Sequence, residues 1–302
     1  MNIPTNQEII TNYLNYYESS IQSVRMREIS LRSFFNTCNK HIFELKKRDL
    51  NDYFKYLKNQ ALALNTKKNK WNILISFLKK TMNDYDEEFN FSIVIPIIKS
   101  TDWGNYHSKP KNLIFATKEE IKQILDYFKN HNYKYYLMFR ILAETGCRKG
   151  GLIYAKYTEI DIKKRIMETF EKTGYKAYYF SKNLAVHIEM YVNERKKLDT
   201  KITNLFVVKN KGIYKPYSPR ALDLIIKNCL DKLNIKREIT CHTFRRSINS
   251  FRFDMNCPDE DRKILLNHKT TSNVNLNSYV NLEYNKFIKM YDTWNPYQDL
   301  KL

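Results

Sequence analysis

The stretch Ile239–Phe253, ITCHTFRRSINSFRF, sets His242, Arg245 and Arg246 among small polar and aromatic residues. On a helix, residues three apart share a face, so His242 and Arg245 point the same way. An imidazole beside a guanidinium that never loses its charge is either the solvated face of a basic helix or a pair of donors aimed at a phosphate. The motif alone does not choose between these readings. The rest of the chain does.

Charge is the first discriminator. Lys and Arg outnumber Asp and Glu by 52 to 32, a formal net charge of +20 over 302 residues. A surplus spread along the chain points to a polyanionic partner, nucleic acid first and an anionic membrane surface second. No apolar run approaches the ~18 residues a membrane span needs, FSIVIPII being the longest clear one. The opening MNIPTNQEIITNYL has no basic segment leading into an apolar core, so the expected location is the cytoplasm. Five scattered cysteines without a CxxC exclude a disulfide framework and a zinc ribbon.

Working outward, the chain divides near residue 100. Ahead of it lie four helical patterns: NQEIITNYLNYYES; Val24–Cys38, with Met26, Ile29, Phe34 and Phe35 as its apolar side; DLNDYFKYLKNQ, with Asp49 as its N-cap; and a run opening at Thr66 with Trp71, Leu74, Phe77 and Leu78 at helical spacing. This predicts a small helical domain over 1–100 with a lysine-rich exterior. The aperiodic, proline-bearing stretch that follows predicts a basic linker over 101–112. Beyond residue 113, TKEEIKQILDYFKNH carries the capping-box pair Thr117 and Glu120, and an apolar helix ends at Gly146. EIDI, RIMETF and KAYYFS predict a three-stranded antiparallel sheet with a hairpin at Thr173–Gly174. Helices follow at about 183–197 and 218–233, then the quoted stretch, then PDEDRKILLNH with Pro258 at the first helical position. The expected fold is therefore mostly α with a small antiparallel β-sheet.

Chemistry-bearing residues occur in order through this second part: Arg148 in TGCRKGG, Lys172 at the hairpin tip, His242 and Arg245, His268 in LLNHKTT, and Tyr279 in LNSYVN. Two arginines can hold the non-bridging oxygens of a phosphodiester and offset transition-state charge, which removes the need for a metal ion. A lysine can protonate a leaving 5′ oxygen, histidines can bind the phosphoryl group or move a proton, and a tyrosine hydroxyl can attack phosphorus. Singly, each is an ordinary surface or packing residue on a basic chain with 23 tyrosines. Their order is the signal.

That order, Arg, Lys, His-x-x-Arg, His, Tyr, resembles the tyrosine site-specific recombinase (phage-type integrase) family over essentially the whole chain. The resemblance implies an N-terminal SAM-like core-binding domain and an α+β catalytic domain over 113–302, clamping duplex DNA. TGCR matches the family's first arginine at Arg148, EKTG its lysine at Lys172, and HTFR its His-x-x-Arg box at His242 and Arg245. LNH matches its second histidine at His268, and SYVN its nucleophile at Tyr279. It further implies strand cutting and rejoining through a 3′-phosphotyrosine, no cofactor, no ATP or metal, and a homotetramer on paired sites. A type IB topoisomerase-like strand transferase and a catalytically silent DNA-binding protein are the alternatives. The chain departs from the family pattern at three places. Gly151 stands where an acidic residue is usual, Asn267 replaces the usual glycine before His268, and Tyr279 lies eleven residues past His268. Divergent archaeal or viral members could tolerate such a spacing. Tyr284 and Tyr291 fall with Leu282, Phe287 and Ile288 near one helical face, which reads as packing and leaves Tyr279 as the nucleophile.

Overall fold

The computed structural model describes residues 3–16, 21–104, 113–171, 174–198, 200–268 and 284–298. They form two compact units, Met1–Lys111 and Asn112–Leu302. The fold is mostly helical with small antiparallel sheets, as the sequence implies.

The first unit holds four α-helices among its described residues: α1 (Asn6–Tyr16), α2 (Ile21–Cys38), α3 (Lys47–Asn59) and α4 (Leu64–Phe89). Ile9 and Tyr13, Leu31 and Phe34, Leu50 and Leu57, and Trp71 and Phe77 close one core. The buried side of α2 differs from the expected one. Met26 and Ile29 are each 47% exposed, and the buried stripe runs through Ser30, Leu31 and Phe34. Ser30 hides that stripe in the sequence; its hydroxyl is satisfied locally by donating to the Met26 carbonyl at 2.7 Å. Asp49 is not the N-cap of α3 but lies in its first turn. There its carboxylate accepts the Lys46 backbone N–H at 2.9 Å, the backward half of a capping box. Trp103, read as linker, is buried against Phe54 with ring centroids 4.7 Å apart.

The second unit is organised around α6 (Tyr133–Thr145), every residue of which from Tyr136 to Thr145 is buried. A helix buried all round is a core element, and it must satisfy any polar residue it carries. Arg140 therefore pairs with Glu144 at 2.9 Å and donates to the Tyr136 hydroxyl and to Asn183 Oδ1, each at 2.6 Å. α5 (Lys118–His131) packs on it, started by the expected reciprocal cap. Glu120 N–H donates to Thr117 Oγ1 at 3.1 Å, and Thr117 N–H donates to the Glu120 carboxylate at 2.8 Å. The short helix α7 (Lys149–Tyr154) leads to an antiparallel sheet of β1 (Ile160–Asp161), β2 (Ile166–Glu171) and β3 (Gly174–Tyr179). Glu171 and Gly174 form the last pair of its ladder. Along β2, Met167, Thr169 and Glu171 face inward at the strand period of two.

Then come α8 (Lys182–Lys196), the hairpin β4 (Val207–Asn210) and β5 (Ile213–Pro216), α9 (Pro219–Lys232), α10 (Cys241–Asp254) and α11 (Asp259–Leu265). The hairpin is an addition to the sequence reading. Lys211 and Gly212 turn it with φ of 47° and 80°, and the signal, one Gly in NKG, is short. Pro258 is the N-cap of α11 and not its first helical residue, since its ψ of 144° is extended. A last helix, α12 (Tyr284–Thr293), docks on this unit, with Arg165 gripping Asp292 through two bonds of 2.8 and 2.7 Å.

Candidate active site

The site forms where α6 ends. Gly146 closes that helix at φ 64°, a conformation that penalises any residue with a Cβ. Space is equally restrictive, because a Cβ there would stand 2.7 Å from Leu266 Cδ2 and 2.9 Å from Ile248 Cγ2. The turn therefore lies hard against α10 and the end of α11, and two residues later it presents Arg148.

Arg245 joins these parts. It is buried on α10, with Nη1 donating to the Gly146 carbonyl at 2.6 Å and Nη2 to the Leu266 carbonyl. Gly146 precedes Arg148 by two residues and Leu266 precedes His268 by two, so one guanidinium fixes the backbone leading to both. Asn267 makes the turn between Leu266 and His268 at φ 51°, which a short polar side chain tolerates far better than most. Its amide donates to the Ala177 carbonyl on β3 at 2.8 Å, tying the turn to the sheet. The Leu-Asn-His departure thus keeps the left-handed backbone that a glycine would serve.

Arg148, His242, Arg245 and His268 consequently lie within electrostatic reach of one another. Partial burial, then the Arg246, Arg245 and Arg148 charges, hold the His242 imidazole below the ordinary histidine range. Burial, then Arg245 and Arg148, do the same to His268. Both imidazoles are thereby disposed to be neutral at neutral pH, able to accept a proton, while the guanidinium groups stay charged. Beside them a cavity of about 910 Å³ has a mixed lining, with Arg148, Lys227, Arg237 and His242 among its basic side chains and Asp223, Asp231 and Glu238 among its acidic ones. Two arginines and two histidines around one point can hold a tetrahedral oxyanion. Cys147 and Cys241, next in sequence to Arg148 and His242, are buried with their thiols pushed up to about 12, which removes them as thiolate nucleophiles. Among the described residues no group of three or more His, Cys, Asp or Glu could hold a metal ion.

Lys172 and Tyr279 lie outside the described residues. Two participants escaped the sequence reading, Glu171 and Tyr178. The Glu171 carboxylate pairs with Arg148 Nη1, and the buried Tyr178 hydroxyl donates to Glu171 Oε1 at 2.6 Å. The available signal was periodic: a carboxylate on the inward face of β2 requires a donor partner inside.

Comparison with known proteins agrees with this architecture. Residues 115–286 match the phage integrase family, and residues 8–87 match the phage integrase N-terminal SAM-like domain. The chain belongs to the phage integrase family of site-specific tyrosine recombinases. No curated protein sequence matches it. Among solved structures, the Tn1549 transposon integrase in complex with transposon right end DNA aligns at a TM-score of 0.67 and 15% identity, covering 94% of this chain and 97% of that one. The XerH site-specific recombinase bound to its difH substrate, in a pre-cleavage complex, aligns at 0.64 and 17% identity, covering 83% and 74%. At these identities the likeness is one of fold.

Proposed function

We propose that the protein cuts and rejoins strands of double-stranded DNA through a covalent 3′-phosphotyrosine. The observation that carries this reading is the double tether from Arg245 to the carbonyls of Gly146 and Leu266, which gathers Arg148, His242 and His268 around its own guanidinium. Arg148 and Arg245 hold the non-bridging oxygens of the scissile phosphate and offset the charge that develops on them. The Tyr279 hydroxyl attacks phosphorus, forming the P–O(tyrosine) bond as the bond to the 5′ oxygen breaks. Neutral His242 and His268 bind the phosphoryl group and accept the tyrosine proton. Lys172 donates a proton to the departing 5′ oxygen, and reversal by a different 5′ hydroxyl rejoins the strand. With guanidinium groups supplying the electrostatics and the ester conserving bond energy, the reaction proceeds without ATP or a metal ion. The net charge of +20 supports affinity through backbone phosphates, and family membership supports a homotetramer on paired sites and residence in the cytoplasm.

The test is denaturing-gel trapping on a nicked suicide substrate, followed by mapping of the labelled tyrosine. A covalent complex through Tyr279 is the expected result. Specific binding without an adduct overturns the reading, and supercoil relaxation without exchange of strands would move it to a topoisomerase.

A further inference from the structure

The position three residues after Arg148 holds no carboxylate. Gly151 stands there, and its missing side chain leaves space that is already filled: an added Cβ would meet Glu171 Oε1 at 2.7 Å, Glu171 Cγ at 3.3 Å and Thr169 Cγ2 at 3.3 Å. A carboxylate from β2 thus occupies the space beside α7. Its two oxygens divide their work. Oε1 accepts the Tyr178 hydroxyl at 2.6 Å and the Arg148 backbone N–H at 3.3 Å, while Oε2 takes Arg148 Nη1. The Glu171 side chain is 3% exposed and that of Arg148 43%, so the carboxylate is the fixed end and the guanidinium the end that reaches outward. Arginine has more rotamer freedom than a phosphate ligand can use, and one terminal nitrogen held by a buried anion aims the rest of the fork.

We propose that Glu171 is the positioning residue for Arg148, admitted by Gly151 and held by Tyr178, so that a strand of the sheet supplies the acid that the helix lacks. This rests on the strand-transfer reading above. Glu171 does not touch the scissile phosphate; it acts through the aim of Arg148.

The experiment uses the full-length protein on two nicked suicide substrates, one with the natural 5′ oxygen and one with a 5′-phosphorothiolate at the scissile bond. Glu171→Gln keeps the shape and an acceptor for Tyr178 while removing the charge. It should slow single-turnover cleavage by on the order of 100-fold on both substrates, with DNA affinity and melting temperature close to wild type. Rescue on the phosphorothiolate would mean that Glu171 acts on the leaving-group acid next to it in sequence, and would overturn the proposal; so would wild-type cleavage of both substrates. Gly151→Glu should lose cleavage and melt earlier, because the two side chains collide. Adding Glu171→Ala should restore melting and much of the cleavage rate by moving the carboxylate to the helix. A double variant no better than Gly151→Glu also overturns it. If the wild-type protein forms no adduct with either substrate, the strand-transfer reading itself fails, an outcome distinct from a cleaving wild type with an unaffected Glu171→Gln.

Discussion

Tyr291 donates its hydroxyl to Glu144 Oε2 at 3.2 Å, inside the second unit and with only 1% of its surface exposed. Burial, foremost, and the neighbouring Glu144 carboxylate raise this phenol well above its ordinary range. A nucleophile needs an accessible hydroxyl that can lose its proton during attack. Tyr291 instead serves as the peg by which α12 is held to α6. Tyr291→Phe should accordingly still form the covalent adduct while losing about 1.5–3 kcal/mol of stability, the range for a hydrogen bond to a charged group. Tyr279→Phe should fold and bind DNA and form no adduct. Gel trapping and urea denaturation on both variants check the pair, and an adduct from Tyr279→Phe reassigns the nucleophile.

Glu144 receives three donors: Arg140 Nε at 2.9 Å, Tyr291 at 3.2 Å and the Ser181 backbone N–H at 3.3 Å. Removing it leaves a buried guanidinium without its counter-charge. Glu144→Ala should cost about 3–5 kcal/mol in equilibrium unfolding, far more than loss of an exposed pair such as Arg48–Asp52.

The two site histidines give a signed pH dependence. Unfolded histidines titrate near 6.5, and those of the folded site titrate lower, so the free protein loses stability as pH falls through that region. A bound phosphate diester offsets part of the guanidinium field and relaxes both groups back toward the ordinary histidine range. DNA binding should therefore take up protons, and affinity should rise as pH drops through the histidine range. Calorimetry in buffers of different ionisation enthalpy reads the uptake, and His242→Ala with His268→Ala should reduce it. Proton release on binding would contradict the electrostatics described.

Gly146→Ala combines a left-handed backbone penalty of about 1–2 kcal/mol with overpacking against Leu266 and Ile248 of about 1–3 kcal/mol. A loss of about 2–5 kcal/mol is expected in denaturant titrations. Cleavage should fall further than stability explains, because the carbonyl that anchors Arg245 moves with the turn.

The parts of this architecture that were legible in advance are those written locally. The Thr117 and Glu120 cap, the glycine stop at Gly146 and the three residues separating His242 from Arg245 each depend on neighbours along the chain. The Arg148–Glu171 pair joins positions 23 residues apart across a helix and a sheet, and no local pattern reports such a partner. The buried face of α2 is hidden in the sequence because a self-satisfied serine looks polar there and behaves as a small packing residue in place. Asn267 departs from the usual glycine in sequence, yet its positive φ is one that asparagine tolerates, so the substitution is conformationally mild.

The close approach of Gly151 to Glu171 also constrains how this chain can change. Any first step that adds a side chain at residue 151 collides with a carboxylate 2.7 Å away. A first step that shortens Glu171 collides with nothing. Two substitutions that would be equivalent as a set are therefore unequal in order: shortening Glu171 first keeps the packing but forfeits the aim of Arg148, while filling residue 151 first breaks the packing. The order of substitution is thus set by the volume of one absent methyl group.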